Sequence, residues 1–146
     1  MGHKTKEVIG WREWACLPQL HIDKIKLKID TGARTSTLHA IDIEPYSSHE
    51  VDRVRFLVHP LQKNERGAVL CRANVLDLRT ITDSGGKREH RYIIETHIIL
   101  GGKIFTIEVS LTDRSSMGFR MLLGRSALKG RFVVDPHHSY LLTGKH

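Results

Sequence analysis

The stretch Lys28-Ile29-Asp30-Thr31-Gly32-Ala33-Arg34-Thr35-Ser36 gathers the residue types that acid-base chemistry needs. An alternating, strand-like run ends in a carboxylate, followed at once by a hydroxyl residue, a glycine and an alanine. Gly32 lets the chain turn sharply and brings backbone amides close to the carboxylate, while Thr31 and Ser36 offer hydroxyls around it. A carboxylate held in this way is positioned to act on a water molecule. The same residue types also make an ordinary Asx turn after a strand. The tripeptide alone leaves both readings open.

Other chemistries find less support. A P-loop would need Gly-x-x-x-x-Gly-Lys-Ser/Thr, and zinc hydrolysis of the common kind would need His-Glu-x-x-His on a helix; neither run occurs. The ten histidines are scattered, only His137 and His138 are adjacent, and they read as surface residues. No metal or cofactor is expected. Ser36, Ser126 and Cys71 carry no local signature of an activated nucleophile. Cys16 and Cys71 form no Cys-x-x-Cys and no disulfide framework, and they read as two small buried thiols in a reducing compartment.

The elements that must position Asp30 are strands. Ile25, Leu27 and Ile29 alternate with Lys24, Lys26 and Lys28, and the same period of two recurs over Arg53–Val58 and Ile104–Leu111. Val69–Thr82 and Arg91–Leu100, rich in Ile, Val and Thr, are further strand candidates. Asp83-Ser84-Gly85-Gly86 and Gly101-Gly102 supply hairpin turns, and Asp135-Pro136 opens a turn before a short run over Tyr140–Thr143. Only Arg125–Lys129 reads as helical, with Gly130 placed to end it. The 146 residues, 40% of them hydrophobic, suit one continuous domain over 1–146 that is mainly β, closed or strongly curved. No apolar run reaches the length of a membrane helix, and the start has no signal-peptide core. The expected location is the cytoplasm.

Phe119-Arg120-Met121-Leu122-Leu123-Gly124-Arg125-Ser126-Ala127-Leu128 places apolar residues before a glycine and then the short helix. With Asp30-Thr31-Gly32-Ala33 ending a strand upstream, this resembles the retropepsin-like aspartic proteases. The glycine-tipped hairpin Thr80–Arg91 lies between the two motifs, in the order of the retropepsin flap. The interval from Glu44 to Ala68 is longer than in the viral enzymes and looks like an insertion. The whole chain is similar to a bacterial family labelled as ATP-dependent zinc proteases. The likeness rests on Gly10-Trp11-Arg12-Glu13-Trp14, the Asp30 stretch, Leu111-Thr112-Asp113-Arg114, Leu123-Gly124-Arg125 and Val134-Asp135-Pro136. Neither ATP nor zinc in that label has a matching motif here.

The resemblance implies a closed retropepsin-like barrel and an aspartic endopeptidase. A single Asp-Thr-Gly requires the second carboxylate to come from another chain, so Asp30 would meet its symmetry mate in a homodimer. Thr31 would brace that dyad, and Gly32 would bring backbone near the substrate. Ala33 and Arg34 would border the substrate channel, and Gly85 and Gly86 would tip a closing flap. Arg34 stands where the viral enzymes carry an acidic residue. It either pairs with a substrate carboxylate or makes an internal salt bridge that braces the loop. Members of the bacterial family are often found with a ligase that appends glutamates to a ribosomal protein, which makes a glutamate-rich peptide one candidate ligand.

A competing reading is a non-catalytic basic β-barrel that grips RNA or a ribosomal protein. The formal charge is +7, and Arg114, Arg120, Arg125, Lys129 and Arg131 fall in one segment with no acid among them. Only nine residues are aromatic, and no strand spaces them for stacking bases. The competitor therefore rests on charge alone. A retropepsin fold that has lost activity is a third reading.

Overall fold

The structure is a computed structural model that describes residues 6–61, 67–82, 85–114 and 118–143. Eleven strands and one short helix follow one another as β1 (Glu7–Gly10), β2 (Arg12–Leu17), β3 (Ile22–Asp30), β4 (Ser36–His39), β5 (Ile41–Ser48), β6 (Val51–Val58), β7 (Val69–Thr82), β8 (Arg88–Leu100), β9 (Lys103–Thr112), β10 (Met121–Gly124), α1 (Arg125–Leu128) and β11 (Phe132–Asp135). The expectation of a mainly β chain with one short helix is met.

Nine strands form one sheet in the order β2-β3-β10-β4-β9-β8-β7-β6-β5, and β1 pairs in parallel with β11 in a separate two-stranded sheet. The large sheet returns on itself where β2 meets β8, through the single pair Cys16↔Ile99. Most of β5 and all of β6 lie in the interval from Glu44 to Ala68 that reads as an insertion, and with the first half of β7, which follows it, they continue the sheet outward from β8.

Alternation decides which side chains reach the core. Ile25, Leu27 and Ile29 of β3, Val54, Phe56 and Val58 of β6, and Ile107, Val109 and Leu111 of β9 are all buried; the polar neighbours face outward or are half-covered in β3 and β6, whereas at the end of β9 Ser110 and Thr112 are buried as well. Each such apolar side chain contributes about 1.5–3 kcal/mol on burial. Between β8 and β9 the turn at Gly101 and Gly102 has φ of 60° and 81°, the left-handed geometry that paired glycines adopt without strain. At the β7–β8 tip, Asp83 and Ser84 lie outside the described residues.

The run Tyr140–Thr143 is a turn, not a strand. The Tyr140 amide donates to the Arg12 carbonyl of β2 at 3.0 Å, and the Leu142 and Thr143 amides are drawn to the buried carboxylate of Glu13. Glu13 Oε1 accepts from the Thr143 amide at 3.2 Å and its hydroxyl at 2.8 Å, and Oε2 accepts from the Leu142 amide at 3.2 Å and the Gly10 amide at 2.7 Å. A Cβ on Gly10 would lie 2.8 Å from the His138 carbonyl oxygen, so this crossing needs a glycine. The Gly10–Trp14 signature thus fastens the C-terminal turn to the N-terminal strands. Cys71 is buried, and burial pushes its thiol up to about 12, so it behaves as an inert apolar residue; Cys16 is half-buried.

Two substitutions test these joints. Glu13→Gln sets an NH2 group against backbone donors in a buried site and is expected to cost about 1–3 kcal/mol in urea unfolding. Gly124→Ala is expected to destabilise by about 1–3 kcal/mol or more, because its new methyl would overlap the 34–35 backbone. Unchanged midpoints would contradict both assignments.

Candidate active site

The parallel strands β3 and β10 end side by side, with Gly124 in register with Asp30. Strand β10 also pairs antiparallel with β4, so it lies between the strand that enters the Asp30 loop and the strand that leaves it. The loop is then sewn to the start of α1. The Arg125 amide donates to the Ala33 carbonyl at 2.8 Å, and the Ser126 amide and hydroxyl donate to the Arg34 carbonyl at 3.1 and 2.7 Å. Ser36 Oγ accepts from the Gly124 amide at 3.0 Å. The Arg125 guanidinium donates to the Thr31 and Gly32 carbonyls at 3.3 and 3.1 Å. Arg125 therefore anchors the loop.

Within the loop, the Gly32 amide donates to Asp30 Oδ1 at 3.1 Å. This is the Asx-type geometry of the plainer reading, and it also fixes one carboxylate oxygen while leaving Oδ2 available. The two readings are compatible. Asp30 lies on the wall of a cavity of about 660 Å³ together with Gly32, Ala33, Arg34 and Thr35. Thr80, Ile81 and Thr82 of β7 line the same cavity, so the hairpin reaches it through its strand. Gly85 and Gly86 are not among the lining residues. Gly86 has a φ of 84° and open space around its Cβ position, as a hairpin tip requires. Thr31 lines a second cavity with Arg34, Arg125 and Lys129.

The sequence singled out Arg114 only within a signature and a basic run, and Arg91 only as the end of the hairpin; the structure brings both to the Asp30 cavity. Arg91 is only 5% exposed; its Nε lies 3.1 Å from Glu89 Oε2, and its Nη1 donates to Ser110 Oγ at 3.4 Å. The other oxygen of Glu89 accepts from the Thr112 hydroxyl at 2.8 Å. Ser110 in turn meets Thr37 at 3.1 Å, which ties the cavity wall to β4. Arg34 makes no ion pair with any described residue, so the internal salt bridge considered for it is absent among those residues.

His39 departs from the expectation of surface histidines. It is buried on β4, and its Nδ1 accepts from the Arg114 amide at 3.0 Å. Burial, helped by the charge of Arg120, holds its pKa below the ordinary value, so the neutral acceptor form is favoured. The basic run is likewise divided. Arg114 enters the Asp30 cavity and Arg125 holds the loop, while the Arg131 guanidinium packs 4.3 Å over the Phe105 ring. Among the described residues no group of three His, Cys, Asp or Glu side chains is placed to hold a metal ion, and no helix is long and apolar enough to cross a membrane.

In sequence the chain is 42% identical over 141 residues to a probable alpha-L-glutamate ligase of Shewanella pealeana, covering 97% of this chain and 31% of the relative. A protein of the same name from Parasynechococcus marenigrum is 44% identical over 138 residues, covering 94% of this chain and 29% of that one. The chain thus spans under a third of the length of these relatives. In structure it superposes on a Legionella pneumophila protein of unknown function with a TM-score of 0.77 and 26% identity, covering 94% of this chain and 99% of the other. The model of the RimB-like family, described as "Retropepsin-like aspartic endopeptidase RimB", matches residues 8–145. With that match across nearly its whole length, the chain belongs to the RimB-like, retropepsin-like aspartic endopeptidase family.

Proposed function

We propose that this chain is an aspartic endopeptidase whose catalytic dyad is built from Asp30 of two copies. The observation that carries the reading is the placement of Asp30. One of its oxygens is fixed by the Gly32 amide, and the residue lies on the wall of a cavity faced by the β7 arm of the hairpin. Two carboxylates brought together cannot both ionise easily, so they share a proton and divide the roles of base and acid. Asp30 of one copy takes a proton from the attacking water, and Asp30 of the other protonates the substrate. The titration belongs to the pair. Thr31 braces the two loops, Gly32 and Ala33 present backbone to the peptide, and the hairpin tipped by Gly85 and Gly86 closes to exclude water. In this reading the single β2–β8 contact completes the barrel that holds the loop rigid.

The substrate we propose is an acidic peptide. Arg34 lies on the cavity wall without an ion-pair partner among the described residues, in a protein of formal charge +7. Its planar fork suits bidentate pairing with a carboxylate. Relatives named as probable glutamate ligases support a glutamate-rich chain as that peptide, and support a partnership between this activity and glutamate addition.

Asp30→Asn keeps the side-chain volume and removes the acid-base function. It should lower hydrolysis of an acidic peptide by roughly 10²–10⁴-fold in a folded protein, with wild-type activity indifferent to EDTA. Activity that survives in Asp30→Asn, or that vanishes with EDTA and returns with zinc, would sink the aspartic mechanism. Arg34→Glu should lower the ratio of kcat/KM for acidic over neutral peptides about tenfold or more. An unchanged ratio would remove Arg34 from substrate recognition.

A further inference from the structure

The Asp30 cavity holds three guanidinium-bearing residues and one carboxylate, and the three arginines differ in how they are held. Arg91 is buried and already engaged by Glu89 and Ser110. Its charge is balanced inside the protein, and its part is to support the wall. Arg34 and Arg114 are exposed, and among the described residues neither guanidinium has a hydrogen-bond or ion-pair partner. They come from different segments, Arg34 from the loop after β3 and Arg114 from the segment just after β9.

Arg114 is nonetheless fixed in place through its backbone. Its amide donates to the buried Nδ1 of His39 at 3.0 Å, and the next residue of β4's exit, Ala40, donates its amide to the Thr112 carbonyl at 3.0 Å. Two hydrogen bonds therefore pin the chain on either side of Asp113, while the side chain of Arg114 stays free to meet a ligand. A cation whose main chain is held but whose charge is unmatched loses little backbone freedom on binding an anion.

We propose that Arg114 is a second carboxylate-reading residue, so that the cleft recognises two acidic side chains of one peptide, one at Arg34 and one at Arg114. This rests on the reading of the cavity as the peptide cleft. In a two-fold dimer each arginine occurs twice, and each reads one position or a symmetric pair of positions about the scissile bond. Neutral peptides of the same length then lose two charge-assisted contacts, and peptides with one acid lose one.

The experiment uses an all-glutamate peptide of eight residues and the eight variants in which one Glu is replaced by Gln. Binding of each to Asp30→Asn protein is followed by fluorescence anisotropy, and kcat/KM is measured for wild type, Arg34→Gln and Arg114→Gln. Wild type should discriminate by roughly tenfold at two separate positions or symmetric pairs. Arg114→Gln should abolish discrimination at one of them and leave the other, and Arg34→Gln should do the reverse. A profile for Arg114→Gln identical to wild type, or loss at the same position as Arg34→Gln, would overturn the proposal. Binding on the Asp30→Asn background, alone and combined with each arginine change, separates it from the catalytic reading. Two-position discrimination there without hydrolysis by wild type would uphold Arg114 and refute the endopeptidase. No preference for the glutamate peptide over its Gln variants would refute Arg114 whatever the hydrolysis.

Discussion

The close approach of Gly124 to the backbone of Arg34 and Thr35 governs the rest of the site. A Cβ at this position would lie 2.7 Å from the Thr35 carbonyl carbon and 2.9 Å from the Arg34 carbonyl oxygen. Without a side chain, β10 can slide between β3 and β4 and offer its amides to the loop. The amides of Gly124, Arg125 and Ser126 then find Ser36 Oγ, the Ala33 carbonyl and the Arg34 carbonyl. These bonds satisfy donors that a short helix start would otherwise leave unpaired. They also tie the Asp30 loop to β10 and α1 through residues 33, 34 and 36.

Electrostatics then sets what such a carboxylate meets. The protein spends Arg125 on the loop carbonyls and balances Arg91 against Glu89, so neither is available to a ligand. Arg34 and Arg114 remain exposed around a single acid. A second Asp30 arriving from another copy would enter a cleft already positive, which eases bringing two carboxylates together. The same surplus favours an anionic peptide. Exposed ion pairs elsewhere, such as Arg55 with Glu44, lie on the surface and add little to stability.

Much of this was legible in the chain because period-two alternation and punctuation are local signals. The Ile25-Leu27-Ile29 and Phe105-Ile107-Val109-Leu111 patterns locate β3 and β9 within a residue or two, and Gly124-Arg125 locates the start of α1. Strand β4 was not legible: all four of its residues, Ser36, Thr37, Leu38 and His39, are buried between β10 and β9, so polarity does not alternate. The hydroxyls are satisfied by partners more than seventy positions away, as with Thr37 and Ser110. Short-range pattern carries no trace of such pairs. For the same reason the run Tyr140–Thr143 shows no local sign of its conformation, since the buried Glu13 that accepts the Leu142 and Thr143 amides lies near the other end of the chain. Arg91 and Arg114 look like ordinary surface charges until the sheet brings β8 and the end of β9 beside Asp30. The family resemblance supplied the loop, and three-dimensional pairing supplied the arginines.

The central claim is that one active site takes one Asp30 from each of two copies. Co-refolding wild type with an increasing excess of Asp30→Asn, at fixed total concentration, tests it most directly. If the dyad spans two chains, peptide hydrolysis will fall as the square of the wild-type fraction, because a mixed pair lacks one carboxylate. Activity falling in simple proportion to the wild-type fraction would show that a single chain is sufficient, and would contradict the account.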